Sequence, residues 1–361
     1  MAEAKGYWLP PGFEGPSAAL ELRGATGFPM KAMVLAAGLG TRLRPVTDTR
    51  PKALVEVADR TLLEITLTRL RSFGVGEVII NVHHFADMVI DYLKSHNNFG
   101  MRIEISREDD LLLDTGGGLK KASWFFLEDS CRASASQPTD NQTRGAIPSL
   151  PVPPDAARTS APSQPDAVST LSEPFLLHNV DVISNIDFLR MLQFHNEHRA
   201  LATLAVQSRA SSRLLLFNED LQLIGRAAPG ATVTKQNVIP DAARNPRNRS
   251  TELTSAPTQA TLPSPPALVH PKRSQRVSRL PRALRGPSPL ALAFSGIHVI
   301  SPRLLAMLSE EGAFSIIDAY LRLAAEGEKI LAFGANEYYW RDLGRPTDLS
   351  HAAVDLQQGM L

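Results

Sequence analysis

Between Gly38 and Lys52 the chain reads GLGTRLRPVTDTRPK, two glycines followed by Arg42, Arg44, Arg50 and Lys52. Glycines without a Cβ let neighbouring backbone N–H groups converge on one point, and the basic side chains add positive charge around it. Such a loop asks for a phosphorylated ligand. It is neither of two common phosphate motifs. The dinucleotide fingerprint requires a third glycine where Leu43 stands, and the Walker A loop requires Gly-Lys-Ser/Thr after a four-residue gap. A second glycine run, Asp114-Thr115-Gly116-Gly117-Gly118-Leu119-Lys120, opens a helix. A helix-entry turn needs one glycine, so three in a row point to close approach of a ligand. Two carboxylates complete the set. Asp181 ends the apolar stretch FLLHNVDVI, where an unpaired charge is expensive and has to be hydrogen-bonded or metal-bound. Asp342 lies in YWRDLGRP, just before a turn. Each alone also fits a cap or a turn acceptor. Together they suit magnesium, which takes few protein carboxylates and leaves room for phosphate oxygens.

The string GLGTRLRPVT followed by Pro51-Lys52 resembles the signature of the sugar-1-phosphate nucleotidylyltransferases. The likeness extends to TGGG, to Asn179-Val180-Asp181, to Phe294–Ile300, to Phe314–Asp318 and to Trp340-Arg341-Asp342-Leu343-Gly344. These resemble the short members of that family, the N-acetylmuramic acid 1-phosphate uridylyltransferases and the mannose- and heptose-1-phosphate guanylyltransferases. What the resemblance implies is transfer of a nucleotidyl group from a nucleoside triphosphate to a sugar 1-phosphate, with Mg2+ held by Asp181 and Asp342. It implies nucleotide contacts from Ala36, Ala37, Gly38, Gly40, Thr41 and Arg42, with Gly116 and Gly117 against the nucleoside and His84 at the base edge. Arg42 and Lys52 carry catalysis, and Lys52 and Asn179 meet the sugar phosphate. Val180 replaces the family's usual glycine in Asn-Gly-Asp. The family's Glu-Lys-Pro lysine has no clear counterpart, because the region after Ile224-Gly225-Arg226 offers only Lys235 or the charge of Arg226. A same-fold enzyme acting on another phosphate, such as phosphocholine, and a non-catalytic nucleotide-sugar-binding relative are the other readings. The family's role in nucleoside-diphosphate-sugar synthesis connects it to cell-envelope polysaccharide.

The elements that must position these residues alternate. Met33 to Ala37 is an apolar run of the kind a buried parallel strand shows. Helices are expected over 60–73, 86–95 and 187–198, and strands over 77–82, 101–106, 175–177, 201–206, 213–217 and 292–300. That order predicts an α/β fold with a doubly wound, mainly parallel sheet, Rossmann-like, with ligands at the carboxyl ends of its strands. No hexapeptide repeat follows Asp342, so no C-terminal β-helix is expected.

Composition bounds the rest. In 361 residues, 38 Lys+Arg stand against 37 Asp+Glu, so no basic field argues for nucleic acid or anionic membrane. A single cysteine, Cys131, excludes an internal disulfide framework. No run is apolar enough to cross a bilayer and the start lacks a secretory pattern, so a cytoplasmic protein is expected. Residues 1–29, about 128–173 and about 227–289 are rich in Ser, Pro, Ala and Thr. They read as a disordered extension and two disordered insertions in a nucleotidyltransferase domain over 30–361. His195 and His198, three apart without a third ligand, read as a solvated helix face. Ser208–Ser212 fits either a sugar contact or a connecting loop. Oligomeric state leaves no sequence signal.

Overall fold

The computed structural model describes residues 30–127, 173–227 and 289–360. The expected extension, the expected insertions (apart from their end residues) and Lys235 lie outside these residues.

The chain enters on β1 (Met30–Leu35) and passes through three short 3-10 turns into a small hairpin, β2 (Glu56–Val57) and β3 (Arg60–Thr61). It continues through α1 (Leu62–Ser72), β4 (Val75–Val82), α2 (Ala86–Ser95), β5 (Arg102–Arg107) and α3 (Asp114–Lys121). The second segment holds β6 (Phe175–Asn179), β7 (Val182–Ser184), α4 (Phe188–His198), β8 (Ala202–Gln207), β9 (Leu214–Phe217) and β10 (Leu223–Arg226). The third holds β11 (Leu290–Ile300), α5 (Ile316–Ala325), β12 (Ile330–Gly334), β13 (Trp340–Asp342) and α6 (Pro346–Gln357). The expected helices and strands all appear, with ends shifted by a few residues.

Nine strands form one sheet in the order β10-β9-β11-β6-β1-β4-β5, with β8 beside β11 and β12 beside β8. β1 pairs in parallel with β4 and β6, and β4 with β5, while β11 runs antiparallel to β6, β8 and β9. Following these pairings, only β10 and β11 oppose the rest, so the sheet is mainly parallel. Both faces are buried, which explains the unbroken apolar runs: successive side chains alternate sides, and each side meets a core. Ala32, Val34, Val78 and Ile80 pack with Leu63, Leu67 and Leu70 of α1 and Val89 and Leu93 of α2. On the other face, Met33, Ile79 and Leu177 pack with Leu119 of α3 and Ile316, Tyr320 and Leu323 of α5. Helix entries are capped locally. Glu64 N donates to Thr61 Oγ1 (3.0 Å), and Leu189 N and Arg190 N donate to Asp187 Oδ1.

Three histidines are buried in this core. His195 is not on a solvated face; it is 2% exposed and hydrogen-bonded through Nδ1 to Thr203 Oγ1 (3.0 Å), while His198 is exposed. α4 turns His195 inward onto β8, which spacing along one helix does not reveal. Burial lowers its pKa to about 4, and it lowers that of His178 to about 4 and of His298 to about 3. These residues are neutral in the fold but bind protons below the ordinary histidine value of 6.5 once unfolded. Stability is therefore expected to be full above pH 6.5 and to fall from there towards pH 4. Each histidine costs about 2 kcal/mol between pH 6.5 and pH 5. Urea midpoints at pH 7.5 and pH 5 measure this, and equal midpoints would contradict it.

Candidate active site

β1, β4 and β6 end together, and the chain after β1 folds over their carboxyl ends. Gly40 takes φ 64° there, and a Cβ on it would fall 2.8 Å from Thr47 Cγ2. Leu43 N and Thr47 Oγ1 both donate to Gly40 O (2.8 and 2.9 Å), pinning the loop. Thr41 and Arg42 stand exposed on the first 3-10 turn, and Gly38 is exposed just before it. A cleft of about 460 Å3 opens between these strand ends, lined among others by Ala36, Ala37, Gly38, Lys52, Asn81, Asn179 and Asp181.

Asn81, absent from the sequence-based site, organises this cleft. It is 2% exposed at the end of β4; Ala36 N donates to its Oδ1 (2.8 Å), and its Nδ2 donates to Glu108 Oε1 (2.7 Å). Glu108, 1% exposed, also accepts from Leu113 N through Oε2 (2.9 Å). One buried network thus ties the loop after β1 to the entry of α3. The available signal was an asparagine inside the apolar run EVIINV, since a buried amide must find partners. His84 lies outside the lining of this cleft, its ring against Phe85 at 3.9 Å. Gly116 N and Gly117 N donate to Phe314 O (2.9 and 3.3 Å), and a Cβ on Gly116 would strike the Phe314 ring. The close approach the glycines permit is to the 312–314 segment. Asp114 and Thr115 line the cleft at that point.

The two carboxylates meet through a separate ribbon. β13 pairs antiparallel with β7, Asp342 opposite Val182, and Leu343 N donates to Asp181 O (2.7 Å). Lys52 is 9% exposed on the third 3-10 turn and forms an ion pair with Asp181 Oδ2. Burial first, and the charge of Asp181 next, raise the pKa of Asp342, while Lys52 and Arg42 work against the rise. Asp342 Oδ1 is buried with no hydrogen-bond partner. Two carboxylates held close enough to repel, one with an orphaned oxygen, fit a divalent cation. No group of three or more His, Cys, Asp or Glu placed to hold a metal occurs among the described residues.

Gly344 lets this corner close. A Cβ there would fall 2.7 Å from Asp342 Oδ1 and 2.5 Å from Arg42 Nη2. Gly344→Ala is expected to lower turnover more than tenfold by displacing both groups, with a melting temperature near that of the parent. Unchanged turnover would show that the corner is not part of the site.

Beyond Asp181 and Asn179 a second cavity of about 810 Å3 extends over β9 and β11, bordered also by Asp342, Trp340, Arg209 and Arg226. Ser211 and Ser212 of the serine-rich loop line it. Arg226 is paired with Asp318 (2.9 Å) at an exposed edge. Asp181 therefore stands where two clefts join, the smaller rimmed by the glycine loop and the larger by arginine and serine side chains.

A family model described as nucleotidyl transferase matches residues 31–140. N-acetylmuramate alpha-1-phosphate uridylyltransferase from Caulobacter vibrioides is 52% identical over 96 residues, 26% of this chain and 40% of that protein. The enzyme of the same description from Neisseria meningitidis is 42% identical over 93 residues, again 26% of this chain and 40% of that protein. The matched part thus spans about 40% of the length of these two relatives. A solved structure of UDP-glucose pyrophosphorylase complexed with UDP-glucose superposes with TM-score 0.54 at 15% identity, covering 92% of this chain and 99% of that one. At that identity the likeness is one of fold.

Proposed function

We infer that this chain, whose residues 31–140 match the nucleotidyl transferase family, moves a nucleotidyl group from a nucleoside triphosphate to a sugar 1-phosphate and releases pyrophosphate. The observation that carries the reading is the meeting of Lys52, Asp181 and Asp342 at the junction of two clefts, one for each substrate.

In this reading an oxygen of the sugar phosphate attacks the α-phosphorus in line. The new P–O bond forms as the bond to the β-phosphate oxygen breaks, and the electron pair leaves with pyrophosphate. The backbone of Gly38, Gly40 and Thr41, with Arg42, holds the β- and γ-phosphates. Ala36 and Ala37 border the nucleotide, and Asp114 and Thr115 line the cleft on its nucleoside side; Gly116, Gly117 and His84, expected there from the sequence, do not line it. Lys52 neutralises charge on the transferred phosphoryl group, and Asn179 meets the sugar phosphate. Asp181 and Asp342 would hold magnesium, which supplies charge neutralisation between the two phosphates. No covalent enzyme intermediate is required, and catalysis is positioning plus electrostatic stabilisation. No helix among the described residues is long and apolar enough to cross a membrane. Work in the cytoplasm, without nucleic acid, belongs to the same proposal.

The test is pyrophosphate release with magnesium across UTP, GTP, CTP, dTTP and ATP against a panel of sugar 1-phosphates, with inositol 1-phosphate and phosphocholine beside them. UTP with N-acetylmuramic acid 1-phosphate comes first, because two of the relatives bear that description. Turnover with one pair establishes the reaction and both specificities. Turnover only with inositol 1-phosphate or phosphocholine would move the acceptor outside the sugars. Triphosphate binding without release on any acceptor would overturn the reading.

A further inference from the structure

We propose that Arg209 is the cation that grips the acceptor's phosphate, in the role for which the sequence offered only Lys235 or Arg226. The proposal rests on the nucleotidyl-transfer reading above. Four arginines border the larger cavity, Arg42, Arg209, Arg213 and Arg226, and they are not equivalent. Arg226 is committed to Asp318 at 2.9 Å, with both side chains close to half exposed, and Arg213 is exposed. Arg42 lies at the Gly344 corner on the triphosphate side.

Arg209 is built in. Its guanidinium lies 3.7 Å from the centre of the Trp340 ring, and Nη2 donates to Phe294 O (2.7 Å). Trp340 Nε1 in turn donates to Ser295 O (2.7 Å), so both side chains are fastened to consecutive carbonyls of β11. Nε is buried without a partner, and Nη1 has none among the described residues. A half-buried guanidinium with unmade hydrogen bonds costs free energy unless something completes it, and its planar fork matches a phosphate.

The position fits the chemistry. Trp340 and Asp342 are two apart on β13 and so share one face of that strand. Arg209, stacked on Trp340, is therefore beside the carboxylate assigned to the metal, and the two charges interact. In the transfer reading, the acceptor phosphate reaches the α-phosphorus from this cavity. Arg209 gives it a second positive contact besides Lys52, presented by a rigid aromatic platform rather than by a mobile chain.

Arg209→Met and Arg209→Lys test this. With the acceptor identified by turnover, Arg209→Met is expected to raise the acceptor KM tenfold or more while the triphosphate KM stays within twofold. Arg209→Lys should lie between, keeping the charge but losing the fork and the stacking. An unchanged acceptor KM accompanied by a lower melting temperature would overturn the proposal and leave Arg209 as a strut for Trp340. A second measurement is independent of turnover: phenylglyoxal labelling of the parent protein, read by peptide mass spectrometry with and without millimolar inorganic phosphate. Phosphate should slow labelling at Arg209 and leave the surface Arg303 unaffected; labelling of Arg209 at an unchanged rate counts against the anion site. Protection without turnover on any acceptor would keep the anion site and sink the transfer reading. Turnover with an indifferent Arg209 would do the reverse.

Discussion

Asp342→Asn is expected to cut magnesium-dependent turnover about a thousandfold or more, a loss of roughly 4 kcal/mol of transition-state stabilisation. The fold should survive and gain slightly in stability. Burial and the neighbouring Asp181 raise the carboxyl of Asp342 above its ordinary value of 3.8, so the folded protein binds this proton more tightly than the unfolded chain does. In the metal-free protein, this group's contribution is then best at low pH. It declines as pH rises from 3.8 through the raised value and stays unfavourable at neutrality. Asparagine is never charged and removes that penalty, so the metal-free variant should melt at the same temperature as the parent or higher. Added magnesium or manganese should raise the parent's melting temperature and leave the variant's unmoved. Parent-like turnover in Asp342→Asn would take this residue out of the metal site, whatever the melting data show.

Lys52→Met has the second large effect, and it acts on stability as well as rate. Lys52 is 9% exposed and paired with Asp181, whose side chain is 19% exposed. Removing one partner of a nearly buried pair strands the other charge, at a cost of about 3 kcal/mol, somewhat less here because water reaches Asp181. Turnover should fall about 100- to 1,000-fold with loss of the positive charge at the phosphoryl group. The pair then predicts non-additivity. Lys52→Met combined with Asp181→Asn should recover much of the lost stability, since no charge is left unpaired, and recover none of the activity. Urea midpoints of the four proteins measure the coupling. A double variant no more stable than Lys52→Met alone would show that the ion pair does not carry the effect.

Much of the molecule was legible in one dimension. Apolar runs gave β1, β4 and β6 their places, because strands buried on both faces leave an unbroken signature. The glycine loop with Arg42 and Lys52 raised the expectation of phosphate chemistry, since N–H convergence and positive charge are local properties. Asp181 stood out as a costly charge in apolar text, and Asp342 as a second carboxylate just before a turn. What the sequence alone did not reveal was pairing at a distance. Lys52 and Asp181 are 129 residues apart, and only the convergence of the 3-10 turn with the end of β6 joins them. The β7–β13 ribbon that sets Asp342 beside Asp181, and the reversed run of β11 within a parallel sheet, depend on contacts that no local period records. The same holds for Asn81 and Glu108, ordinary polar residues until burial obliges them to bond each other. It holds for His195, turned inward by α4, and for Arg209, whose neighbours Trp340 and Phe294 come from other strands. Residue type and spacing therefore pointed to the chemistry proposed for this chain. The tertiary structure decided which groups meet, because desolvation and charge coupling arise only when distant segments are packed together.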